Sequence, residues 1–199
     1  RFITACRDAD CDVLITEGTT LNTAPWGRSK TPETELGVTG HYRELLDAAE
    51  GLVYVNVLAR NTERVADIIT ATAEAGRTLA MDRATAVFWH TALREGMGAL
   101  AGYDREHESA IRIIAPDHTQ PQLPYSTVSL AEIAAAPQQF AYYIILEHTN
   151  RIAAIETARS DAAPRSAYFH ADGNPLSDSD SVLHRWFYTY GIDYHNHST

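Results

Sequence analysis

The sequence predicts an α/β protein: a mostly parallel, doubly wound, Rossmann-like sheet with helices on both faces. Three observations carry that expectation. Short apolar runs recur along the chain, and several are continuous rather than alternating, as strands read when both of their faces are covered. Helical patterns fall between these runs, and strand alternating with helix implies right-handed crossovers. The punctuation agrees: Gly51 and Gly76 each follow a helix and precede a strand, where a left-handed cap is expected, and Thr31-Pro-Glu-Thr34 gives a helix start with proline in its first turn.

The first strand is expected at Asp12–Thr16, followed by a loop over Leu21–Lys30 that carries Pro25, Trp26 and Gly27. A helix over Pro32–Ala49 leads to the most apolar strand, Leu52–Leu58, then a helix over Thr62–Ala75 and a strand at Thr78–Met81. Next come a helix at Arg83–Glu95, a strand at Ile111–Ile114 and a loop over Ala115–Thr127 with three prolines, Pro116, Pro121 and Pro124. Helices at Ser129–Ala136, Asn150–Ala158 and Asp178–Tyr190 alternate with strands at Phe140–Leu146 and Ala167–Phe169, and a last strand is expected at Asp193–His197. No internal repeat or low-complexity tract interrupts the pattern, so one domain over residues 1–199 suffices.

Composition narrows the function. With 45% hydrophobic and 21% charged residues the chain can bury a core. No apolar run approaches the length that crosses a bilayer, so no membrane association is expected. The start, Arg1-Phe-Ile-Thr-Ala5, has neither an initiator methionine nor a signal-peptide pattern, and the chain reads as a piece of something longer. Cys6 and Cys11 have no companion pair, which excludes a disulfide framework and a four-thiolate zinc site and points to a reducing, cytoplasmic setting. A net charge of -10 argues against a surface that coats nucleic acid indiscriminately, while leaving room for a local basic groove.

Candidate chemistry lies at the carboxyl ends of the expected strands, where open α/β sheets hold their ligands. Glu17, Gly18, Thr19 and Thr20 follow the first strand directly: a carboxylate, a residue that lets the backbone turn, and two hydroxyls. The same residues also suit a capped turn. Arg60, Asn61, Thr62 and Arg64 follow Leu52–Leu58 and open a helix, where free backbone N–H groups, polar side chains and guanidinium charge would meet a phosphate; a plain helix cap with solvated arginines is the alternative. Asp82-Arg-Ala-Thr85 either lines the cleft or caps a helix, with the cap favoured, and Trp26, Arg28 and Lys30 either stack on a base and its phosphate or anchor their loop. His195 and His197 have the spacing of a metal pair on one strand face but lack further ligands, and the other histidines, His148 among them, show no ligand pattern. Tyr142-Tyr143 and Trp186-Phe-Tyr188 are expected to pack in the core.

The order Asp12-Val-Leu-Ile-Thr-Glu-Gly-Thr-Thr-Leu21, then Gly51-Leu-Val-Tyr-Val-Asn-Val-Leu-Ala-Arg-Asn-Thr-Glu-Arg-Val65, then Gly76-Arg-Thr-Leu-Ala-Met-Asp82 resembles the β-CASP region of metallo-β-lactamase-fold nucleases. The likeness extends to Asp172-Gly-Asn-Pro-Leu-Ser177 and the final strand. The family includes enzymes similar to ribonuclease J and the eukaryotic pre-mRNA 3′-end endonuclease. The resemblance implies a substrate-recognition module of a zinc-dependent RNA-processing nuclease, with single-stranded RNA and the metallo-β-lactamase domain of the same protein as partners and room for a homodimer. Glu17 would match the acid of motif A, acting with a motif B histidine as an acid/base or positioning residue. The family's His-x-His-x-Asp-His zinc motif is absent from this chain, so the resemblance implies zinc in the parent enzyme, no cofactor in this piece, and no catalysis by it alone. A binding or interaction domain without catalysis, and an α/β enzyme acting on a small phosphorylated molecule, remain as alternatives.

Overall fold

The computed structural model describes residues 35–114, 123–160, 162–172 and 180–197, together with 7, 8 and 176. The chain divides into two compact units, Arg1–Pro32 and Glu33–Thr199, and the sheet with its helices belongs to the second. The expected strand Asp12–Thr16 and its loop lie outside the described residues.

In chain order the second unit runs α1 (Glu35–Ala48), β1 (Val53–Val57), α2 (Thr62–Glu74), β2 (Thr78–Met81), α3 (Arg83–Arg94), β3 (Ile111–Ile114), β4 (Ser126–Val128), α4 (Leu130–Ala135), β5 (Phe140–Tyr143), α5 (Asn150–Ala158), β6 (Ala167–Ala171), α6 (Ser181–Tyr190) and β7 (Asp193–Asn196). Short 3-10 turns at Gly98–Gly102, Arg105–Ala110, Pro137–Gln139 and Leu146–His148 fill the connections. The seven strands form one sheet in the order β4-β3-β2-β5-β1-β6-β7, and every pairing is parallel.

The chain therefore leaves the centre at β1, steps outward to β4, returns to insert β5 between β2 and β1, and steps outward the other way to β7. Right-handed crossovers running in opposite directions put their helices on opposite faces. The cores agree. Val38 and Tyr42 of α1, Ile68 and Ile69 of α2 and Trp89 of α3 pack with Val53, Val55, Leu79 and Phe169 on one face. Ile133 of α4, Ile152 and Ile155 of α5 and Phe187 of α6 pack with Tyr54, Ala80, Tyr142 and Tyr168 on the other. This second face carries a row of four tyrosines in register across adjacent strands, Tyr142, Tyr54, Tyr168 and Tyr194, with ring centroids 6.0, 6.4 and 6.3 Å apart in turn. Tyr142-Tyr143 are thus core residues, as their place in a buried strand predicts.

Local signals explain the boundaries. Asn61 caps α2 by accepting from the Arg64 backbone N–H at 3.1 Å, and Ser129 with Glu132 forms a reciprocal capping box on α4. Gly76 ends α2 with φ of 68°, as expected. Gly51 differs: its φ is not positive, and glycine is required because a Cβ there would lie 2.2 Å from the Arg165 carbonyl oxygen. With no basic residue in the last turn of α1, Arg77 reaches over from the start of β2 and donates to the carbonyls of Leu46 and Ala49, and to that of Gly51 at 2.8 Å. The strand β4 arises within a stretch expected to be loop, because its residues Ser126, Thr127 and Val128 are too few and too polar to give a periodic signal.

Candidate functional site

In a doubly wound sheet the crevice opens at the carboxyl edge, beside neighbouring strands whose connections depart to opposite faces. Here β2 and β1 send their helices to one face, while β5, which lies between them, sends α5 to the other. The residues that follow these three strands build the site.

Asp82 follows β2 and stands at the N-cap position of α3, yet its side chain makes no cap hydrogen bond. This corrects the reading of Asp82 as a helix cap. Its carboxylate, only 4% exposed, receives His148 Nδ1 at 2.7 Å on Oδ2 and Arg151 Nη1 on Oδ1. His148 closes the 3-10 turn after β5 and Arg151 opens α5, so two segments from one strand clamp an acid from its neighbour. Arg151 Nη1 also donates to Tyr142 Oη at 3.2 Å. Partial burial lowers the Arg151 pKa, and burial raises that of Tyr142 well above its ordinary value, which keeps the phenol neutral.

The register extends this polarity across the sheet. Asn56 pairs with His170 between β1 and β6, and one step beyond the paired Val55 and Tyr143 it stands level with Ile144, whose carbonyl accepts from Asn56 Nδ2 at 2.8 Å. Met81 also pairs with Tyr143, so Asp82 belongs to the same level. Asp82, Asn56 and His170 are all buried, directly above the tyrosine row. Asn56 Oδ1 is buried without a hydrogen-bond partner among the described residues.

The residues expected from the sequence fall in three groups. Glu17, Gly18, Thr19 and Thr20, with Trp26, Arg28 and Lys30, lie outside the described residues. Arg60 is exposed in the turn after β1, Asn61 caps α2, and Thr62 is its half-buried first residue, all at the carboxyl edge. Arg64 is buried, 4% exposed, and its Nη1 donates to the Ala171 carbonyl at the end of β6. Its guanidinium ties α2 to the sheet, which corrects the expectation that it offers charge to a phosphate.

His197 stacks on Phe169 and on His41, with centroids 4.8 and 4.7 Å apart, and its backbone N–H donates to the His170 carbonyl at 2.7 Å. His195 pairs in register with Phe169, and its pKa is lowered first by desolvation and then by His197. Among the described residues no group of three or more His, Cys, Asp or Glu side chains comes together as metal ligands. Those residues do not fit a zinc site, and zinc chemistry is not assigned to them. No described helix is long and apolar enough to cross a membrane.

The Asp82–His148–Arg151 cluster escaped the sequence reading because its members belong to separate segments. The available signal was positional: Asp82 follows directly on β2, and His148 and Arg151 fall in the segment that connects β5 to its helix and begins it.

No family model matches the chain, and no curated protein matches it. A solved structure is similar to it, a protein of unknown function from Enterococcus faecalis V583, with a TM-score of 0.66 and 14% sequence identity. The similarity covers 99% of this chain and 42% of that one, so the chain spans less than half the length of its structural neighbour. At that identity the likeness is one of fold, and the fold is a parallel α/β sheet.

Proposed function

We propose that this chain is the substrate-recognition module of a zinc-dependent RNA-processing nuclease of the β-CASP kind. It holds single-stranded RNA at the carboxyl edge of its sheet, and a metallo-β-lactamase domain elsewhere in the protein carries the metals and cuts the phosphodiester. The isolated chain is inactive. What supports this reading is one agreement: the blocks 51–65 and 76–82 that carry the sequence resemblance form β1, the start of α2 and β2, and the turn between β1 and α2 brings the exposed Arg60 to the carboxyl edge. Glu17 keeps its role as the acid of motif A, acting as acid/base or positioning residue.

The test is binding of a fluorescent single-stranded RNA over a range of salt. The expected result is salt-dependent binding, with Arg60→Ala weakening it and reducing the slope of log K against log salt by about one phosphate contact. Absence of RNA binding at low salt overturns the reading, and an unchanged slope removes Arg60 from the RNA path. In the intact protein Glu17→Gln should cut RNA hydrolysis severely with folding and zinc content unchanged, whereas full turnover would remove Glu17 from the mechanism.

A further inference from the structure

The bond between Asp82 and His148 determines what His148 has left to offer. A carboxylate only accepts hydrogen bonds, so in the neutral imidazole the proton lies on Nδ1, facing Asp82 Oδ2 at 2.7 Å, and Nε2 is left as an acceptor. Arg151 holds the other carboxylate oxygen, so Asp82 is anchored from two sides. The acid is 4% exposed and the imidazole 37%, which couples a buried, fixed base plate to an accessible ring.

The surroundings favour a particular kind of ligand. Leu58, 49% exposed, follows β1, and Leu146, 41% exposed, follows the adjacent β5, in the same turn as His148. Both leucines lie in the connections that leave the carboxyl ends of two paired strands, β1 and β5. The same edge holds a second unmatched acceptor, the buried Asn56 Oδ1. A phosphate oxygen has no proton to give and would meet the lone pair on Nε2 unfavourably. A ribose offers carbon surface to the leucines and a hydroxyl proton to the acceptor, and deoxyribose lacks the 2′-hydroxyl.

We propose that His148, oriented by Asp82, accepts a hydrogen bond from a ribose 2′-hydroxyl of bound single-stranded RNA and thereby selects RNA over DNA. This deepens the RNA-recognition reading above and rests on it.

The experiment compares RNA and DNA oligonucleotides of matched sequence on the full chain. In His148→Asn the amide Nδ2 can keep the bond to Asp82 while no acceptor stands where Nε2 was. The expected result is a fall in RNA affinity of about 3- to 10-fold, the worth of one hydrogen bond, with DNA affinity and the thermal midpoint unchanged. On the wild-type chain, RNA carrying 2′-fluoro in place of 2′-hydroxyl should lose the same factor, which keeps the test decisive if the variant folds poorly. Equal losses on RNA and DNA, or no loss with 2′-fluoro RNA, overturn the assignment while leaving RNA recognition standing. A wild-type chain that binds no RNA overturns both.

Discussion

Asp82 and His148 lie 66 residues apart in sequence and share a 2.7 Å hydrogen bond at the carboxyl edge of the sheet. They meet because β5 inserts beside β2, which brings the turn after one strand against the residue that follows the other.

The pair should matter unequally for stability. Asp82→Ala leaves two donors facing a desolvated gap and is expected to cost about 1–3 kcal/mol in urea unfolding. His148→Ala removes a ring that is 37% exposed and should cost about 1 kcal/mol or less. Equal effects would show that burial of the acid is not what matters.

Glu156 anchors a second cluster, on the tyrosine face. Its Oε1 accepts from Tyr54 Oη at 2.8 Å and from Ser166 Oγ at 2.7 Å, while Oε2 receives Arg159 Nη1, and the two charged side chains are 4% and 6% exposed. Glu156→Ala strands a buried guanidinium and should cost about 3–5 kcal/mol by chemical denaturation, with Tyr54→Phe costing less. A Glu156→Ala chain within experimental error of wild type would disprove the pairing.

The tyrosines predict alkaline behaviour. Burial, the largest cause in each, raises the pKa values of Tyr54, Tyr142 and Tyr168 above the ordinary 10.0, and the Glu156 charge raises Tyr54 further. A raised folded-state pKa means that the native form holds its proton more tightly than the unfolded chain. The stabilisation is complete below pH 10.0 and is lost as pH climbs above it. These phenols should ionise together with the loss of helical circular dichroism, so tyrosinate absorbance for all ten tyrosines appearing before any unfolding would contradict the burial.

His195 acts at the other end of the scale. Its lowered pKa, due first to desolvation and then to His197, against the opposing pull of Asp193, means that the unfolded chain takes up a proton more readily. Stability is therefore present above the ordinary 6.5 and falls as pH drops below it. His195→Gln should flatten that part of a stability-against-pH curve, and an unchanged slope would assign the acid loss to other groups.

Two glycines should respond with opposite sign. At Gly51 a Cβ would meet the Arg165 and Pro164 carbonyl oxygens at 2.2 and 2.7 Å, so Gly51→Ala should cost about 1–3 kcal/mol or more. Gly40 lies inside α1 with nothing within 4 Å of a Cβ, and Gly40→Ala should stabilise by about 0.5–1 kcal/mol. Thermal melts of the two variants decide the matter, and a shift in the same direction would contradict it.

How far these sites could be read in advance depends on the range of the forces that make them. The largely apolar runs at Thr78–Met81 and Ile111–Ile114 match β2 and β3 end to end, since a strand covered on both faces takes apolar residues at most positions rather than at alternate ones. The start of α2 was equally legible, because Asn61 caps it through an atom three residues away. Gly51 was read for the wrong reason: its constraint comes from Arg165, far along the chain. Asp82 and Arg64 look in the sequence like a cap and a surface cation, and only their partners at His148, Arg151 and Ala171 give them other roles.

The sequence by itself determined the class of fold, the alternation of elements and most of their limits, because hydrophobic period, capping and turn chemistry act within a few residues. The tertiary structure alone decided the strand order, the insertion of β5 between β2 and β1, and hence the Asp82–His148–Arg151 cluster. Strand neighbours are chosen by the joint burial of both sheet faces and by crossover handedness, and no local window of the chain contains that competition.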